Sequence, residues 1–108
     1  MTVEQLQELL EFTPLALPDG KREAVGAYVG DLLSWVMGRA TSDNVWVTIM
    51  SNVNVIAVAT LADVSCVVFA EGVMPDEELI ELAKSKGVNL LASKLPAYET
   101  ALLLSEKV

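Results

Sequence analysis

Apolar and polar positions along the chain alternate between short β-branched runs and amphipathic stretches of helical period. Thr2 followed by Gln5 makes a capping box, and Val3, Leu6, Leu9 and Leu10 supply one apolar face of a first helix ending near Phe12. Thr13–Leu17 reads as a short extended segment. Pro18-Asp19-Gly20 then reads as a turn, because proline fixes φ and glycine accepts a positive φ. Val25–Val29 is a short strand feeding a helix from Gly30 or Asp31 to about Ala40. Its stripe is Leu32, Leu33, Val36 and Ala40, widened by Trp35 and Met37. Ser42-Asp43-Asn44 is a turn, and Val45–Met50 has the β-branched and aromatic content of a strand.

Ser51 to Asn54 can cap a following helix, Val53–Ala62. Its β-branched residues are poor helix formers, so two strands joined by a turn remain an alternative. Ser65–Ala70 is apolar on both faces, which suits a strand in a sheet covered on both sides. The next helix carries the fullest set of end signals. Pro75 suits its first turn, Asp76, Glu77 and Glu78 complement the N-terminal dipole, Lys84 and Lys86 the C-terminal one, and Gly87 stops it. Val88–Ala92 is a strand. Leu95–Glu106 is a final helix with Pro96 near its start and Tyr98, Ala101, Leu102 and Leu103 available for packing. Strands alternating with helices imply βαβ units. The expected fold is therefore α/β: one domain over residues 1–108, with a largely parallel sheet flanked by helices on both faces.

Composition excludes several function classes. With 53% hydrophobic residues, the 108-residue chain can bury a core and is not disordered. Its net charge of −8 repels phosphate backbones and anionic lipid, so neither a nucleic acid nor a membrane is expected as partner. The uncharged run between Asp43 and Asp63 is long enough to suggest a membrane span, but Ser51, Asn52 and Asn54 interrupt its middle. A strand followed by a buried helix fits it better. The start MTVEQLQELLEF lacks a basic n-region, and the single cysteine, Cys66, cannot form an internal disulfide, so a cytoplasmic protein is expected.

Catalytic chemistry has little to stand on. There is no histidine, which removes the commonest general base and metal ligand. No serine lies in a nucleophile-elbow motif. One cysteine cannot hold a structural zinc or an iron–sulfur cluster within one chain. Asp76, Glu77, Glu78 and Glu81 are explained by a helix start. Gly26 and Gly30 match neither a P-loop nor a dinucleotide fingerprint, although Gly30 stands at a strand-to-helix junction where backbone N–H groups can hold an anion. No metal and no cofactor are expected.

The segment Arg22–Leu33, REAVGAYVGDLL, resembles the signature region of the DRTGG domain family, and DLLSWVMGRA, VWVTIMSNVNVIAVA, CVVFAEG and PDEELIELAKSKGVNLLAS agree with it in order. Arg22 and Gly26 keep the signature. Lys21 stands where the name-giving Asp is expected, Val25 where Thr is, and Ala27 in place of the second Gly. Met50, Ser51 and Asn52 occupy positions where many relatives resemble Gln, Thr and His, and Asn54 fits the pattern. The family is related to the N-terminal domain of HPr kinase/phosphorylase. It occurs as a module in regulated inorganic pyrophosphatases and beside phosphotransacetylases, and its stand-alone members accompany iron-hydrogenase and redox gene clusters in anaerobes.

The resemblance implies a non-catalytic α/β domain resembling the HPr kinase N-terminal domain, with dimer contacts near an adenine-nucleotide regulatory site. Two functions follow as expectations. One is a homodimeric module sensing an adenine nucleotide or other small anion. Arg22, Gly30, Ser51, Asn52 and Asn54 are its candidate site: ligands gather at the C-terminal ends of parallel strands, where Ser51 to Asn54 would lie, and Arg22 is one of only seven cations available to an anion. The other is an assembly module binding a redox-system protein, for which exposed Trp35, Met37 or Tyr28 would speak. Ser51 to Asn54 are also explained as turn and cap residues, and both readings stand open.

Overall fold

In a computed structural model describing residues 1–108, helices and strands alternate as α1 (Val3–Leu10), β1 (Thr13–Ala16), β2 (Ala27–Val29), α2 (Leu33–Arg39), β3 (Val45–Thr48), α3 (Asn54–Ala62), β4 (Cys66–Phe69), α4 (Glu77–Lys86), β5 (Leu90–Ala92) and α5 (Ala97–Ser105). The strands form one sheet in the order β1-β5-β4-β3-β2, in which β2 to β5 are parallel and β1 runs antiparallel along β5. The three crossover helices α2, α3 and α4 pack on one face, because successive right-handed crossovers that advance in one direction must share a side. Helices α1 and α5 cover the other.

That double cover explains the uninterrupted apolar strands. Along β3, Trp46 points into the α2–α4 layer and Val45 and Val47 into the α1–α5 layer. Along β4, Val67 and Phe69 take the first side and Cys66 and Val68 the second. Every residue of β3, β4 and β5 is buried. The run from Val45 to Ala62 is thus a central strand, a polar turn and a nine-residue helix. No helix is long and apolar enough to cross a membrane.

The capping box of Thr2 and Gln5 is present, and Asp76 caps α4 by accepting from Leu79 N at 2.9 Å, with Pro75 just outside the helix. Residues 54–62 are helical, so tertiary packing of Val55, Ile56, Val58 and Ala59 overrides their weak propensity, and the two-strand alternative falls. Elsewhere the structure differs from expectation. β2 begins only at Ala27, because Gly26 adopts φ +70°. α2 begins at Leu33, because Asp31 is bonded to the end of β3.

In α2, Leu33, Val36 and Ala40 of the expected stripe pack on the core, but Leu32, the residues expected to widen the stripe, and the packing residues of α5 differ from expectation. In α2, Val36 is buried, while Leu32, Trp35 and Met37 lie exposed on its flanks. In α5 the buried residues are Thr100 and Leu104, and Tyr98 is 70% exposed. Thr100 is tolerated inside because its hydroxyl pairs with Ser93 Oγ at 2.8 Å.

Trp46 links this core to the loop that follows β2. Its ring is fully buried and its Nε1–H donates to Gly30 O at 2.9 Å. Trp46→Phe keeps most of the packing and orphans that carbonyl. It should lower unfolding free energy by about 1–3 kcal/mol, read as a lower urea midpoint with an unchanged slope.

Candidate functional site

The candidate residues divide between the two ends of the sheet. Gly30 follows β2, and Ser51, Asn52 and Asn54 follow β3. These strands are parallel neighbours, so the four residues share the C-terminal edge. Backbone and side chains stitch the two loops together there. Gly30 N–H donates to Val47 O at 3.1 Å, and Asp31 Oδ1 accepts from both Thr48 Oγ1 (2.8 Å) and Ile49 N–H (2.9 Å). Thr48 Oγ1 in turn accepts from Met50 N–H at 3.1 Å. Sequence reading did not single out Asp31 or Thr48 as partners. Their only signal was polarity at the ends of apolar strands.

The turn itself is open. Asn52 Oδ1 accepts from Asn54 N–H at 2.9 Å, a local turn bond that gives Asn52 the capping role foreseen as the alternative. The first residue before α3 is Val53, whose side chain cannot cap. The N–H groups of Ser51, Asn52 and Val53 find no acceptor within the chain. Ser51, Asn52 and Asn54 are all exposed. The turn therefore offers three backbone donors, a free hydroxyl and the Asn54 amide at a helix start, a set that suits a small anion or the polar edge of a base.

Arg22 lies at the other end. Asp43 precedes β3 and Asp63 precedes β4, and the guanidinium bridges them. Nη2 reaches Asp43 Oδ1 at 3.0 Å, Asp63 Oδ1 at 2.8 Å and Asp63 O at 2.7 Å, and Nε reaches Asp43 Oδ1 at 3.2 Å. Ser42 Oγ donates to the second oxygen of Asp63. That hydroxyl and the Arg22 guanidinium hold the Asp63 carboxyl below its ordinary range. Burial alone would lower the Arg22 pKa, but the hydrogen bonds and charges of Asp63 and Asp43 outweigh it and raise it. Arg22 is thus spent on internal carboxylates and does not join the turn after β3.

Gly26 has a comparable task. A Cβ there would lie 3.0 Å from Asn44 Nδ2, which donates to Val25 O, and its φ of +70° disfavours any side chain. The two retained signature residues therefore fasten the loop before β2 to the starts of β3 and β4. Cys66, fully buried in β4, is pushed up to about 12 by desolvation, which keeps it a thiol.

The DRTGG domain model matches residues 18–107. The chain belongs to the DRTGG domain family. Its fold is similar to the crystal structure of the CBS and DRTGG domains of the regulatory region of Clostridium perfringens pyrophosphatase, solved with the activator diadenosine tetraphosphate. The TM-score is 0.70 at 14% identity, over 95% of this chain and 45% of that one. This DRTGG chain thus spans less than half of that regulatory region. No curated protein matches the chain.

The Arg22 cluster gives a test specific to the DRTGG signature. Arg22→Met should cost about 1 kcal/mol near neutral pH, the scale of partly exposed charge-assisted bonds. The Asp63 pKa is depressed in the folded state, so the stability it contributes is present above its ordinary value of 3.8 and lost as pH falls through the lower folded value. Urea titrations should show the gap between wild type and Arg22→Met narrowing over that acidic range. A gap independent of pH would refute the ion-pair account.

Proposed function

We propose that this DRTGG domain is a non-catalytic regulatory module that binds an adenine nucleotide or other small anion at the C-terminal edge of β2 and β3 and acts as a homodimer. The observation that carries this reading is the open turn at Ser51–Val53, with three unpaired N–H groups beside Ser51 Oγ and the Asn54 amide. Its position agrees with the rule that parallel sheets receive ligands at their C-terminal ends. The pyrophosphatase regulatory region of similar fold was solved with a nucleotide activator, which supports the ligand class. Gly30 serves as a spacer, since a Cβ there would meet the Tyr28 ring at 2.9 Å. Arg22 acts at a distance, holding the β3–α3 unit in place.

A second reading, an assembly module for a redox or hydrogenase system, is favoured by Trp35 and Met37, each about half exposed. The Arg39 guanidinium stacks over the Trp35 ring at 3.7 Å. Tyr28, by contrast, packs partly against the core.

Isothermal titration calorimetry with AMP, ATP and diadenosine tetraphosphate separates the two. The sensing reading expects saturable heat and an affinity about 10-fold weaker in Asn54→Ala, whose side chain has no partner within the fold. Absence of heat with all three, or unchanged affinity in both Asn52→Ala and Asn54→Ala, removes it and leaves the assembly reading.

A further inference from the structure

Helix α3 departs from a general rule of helix burial. Its sequence, NVIAVATLA, is uncharged and apolar around nearly the whole circumference, and helices of that kind are normally covered on every side. Here the sheet and the flanking helices α2 and α4 cover it, and its outer side is left bare. Val55, Ile56, Val58 and Ala59 face the sheet, while Val53, Ala57 and Leu61 face solvent, and Leu61 is 71% exposed. Between α3 and α4 these residues line an open groove of about 420 Å³, the largest concavity of the molecule, whose far wall is Leu82 and Lys86.

Charge identifies what can cover it. The chain carries a net charge of −8, and α1, α4 and α5 all bear glutamates, so two copies repel one another across most of their surface. Helices α2 and α3 bear no acidic residue. The α4 wall supplies a pattern that matches itself. Glu78, Leu82 and Lys86 are spaced four apart and form one stripe, acidic at one end, basic at the other, with leucine midway. A two-fold axis near Leu82 sets α4 of one copy antiparallel to α4 of the other. Glu78 of each copy then faces Lys86 of the other, and the helix dipoles oppose. The same operation brings the protruding Leu61 of each copy toward the groove of the other, whose lining carries no carboxylate.

We infer that the α3–α4 groove is the interface of an isologous dimer, occupied by a second copy of this chain, with Leu61, Ala57 and Leu82 at its centre and reciprocal Glu78–Lys86 pairs at its rim. This inference rests on the homodimer proposed above and assigns it a surface.

Sedimentation equilibrium over a concentration series, with Leu61→Glu, Glu78→Lys and the double exchange Glu78→Lys/Lys86→Glu, tests it. Wild type should move from 11.6 kDa to twice that mass with concentration. Leu61→Glu, at an exposed position that leaves the monomer's circular dichroism and melting unchanged, should weaken dimerisation about 30-fold or more. Glu78→Lys should weaken it several-fold, and the double exchange should restore it to near wild type. A wild type monomeric at every concentration overturns this assignment and the homodimer together. A dimer that tolerates Leu61→Glu overturns the assignment alone, as does a double exchange that restores nothing.

Discussion

The closure of the central β3–α3 unit runs through one guanidinium. Asp43 and Asp63 are the two charges that bracket the uncharged segment of β3, its turn and α3, and both come back to Arg22. The segment leaves the N-terminal edge of the sheet at Asp43, crosses as β3, returns as α3 and arrives at Asp63, where Asp43 N–H donates to Asp63 O at 2.9 Å. Arg22 closes that loop from a third segment, whose own carbonyl accepts from Val3 N–H at the start of α1. A β-strand and the helix that follows it must end where they began if the next strand is to lie parallel to the first. Here an ion-pair cluster makes the closure, so an arginine kept from the family signature acts as architecture. Asp43 and Asp63 both hold positive φ, at 70° and 58°, a strain that a three-way hydrogen-bonded cluster can sustain.

The expected fold was legible because its signals were redundant. α4 announced both ends through Asp76, Glu77, Lys86 and Gly87, and β4 was apolar at every position. The order of strands and helices then allowed little but a parallel sheet. What resisted reading was which apolar residue faces inward. Trp35 and Met37 in α2 and Tyr98 in α5 have the hydrophobicity of core residues, and no local rule says that Thr100 will take their place. Thr100 does so because Ser93, seven residues earlier and on the far side of a turn, supplies its hydroxyl partner. Side-chain pairing across a turn leaves no mark on periodicity.

The candidate site was legible in its location and illegible in its membership. Gly30, Ser51, Asn52 and Asn54 follow adjacent parallel strands, and topology alone brings them to one edge. Arg22 was grouped with them because cations are scarce in the chain and anions attract cations. Scarcity also makes a cation the natural partner of internal carboxylates, and Asp43 and Asp63, though distant in sequence, compete more closely than any ligand at the far edge. Asp31 shows the converse. A carboxylate at the ligand edge opposes an anion, and here its Oδ1 is engaged by Thr48 and Ile49, where it fixes the loop.

Burial explains the absence of charge along only part of the central segment. In β3 and on the inner side of α3 it follows from burial between two helical layers, where an unpaired charge is costly. On the outer side of α3 burial cannot be the reason, since those residues face solvent in the single chain. An acidic chain has ample cause to place glutamates there, as it does on α1, α4 and α5. A helix left neutral and apolar on its outer side, next to a wall whose acid and base are arranged about a central leucine, is what the proposed contact with a like surface would account for. The same helix begins at the open turn after β3, so a ligand held at Ser51–Val53 and a second copy packed on Ala57 and Leu61 would act on one rigid element within three turns of each other.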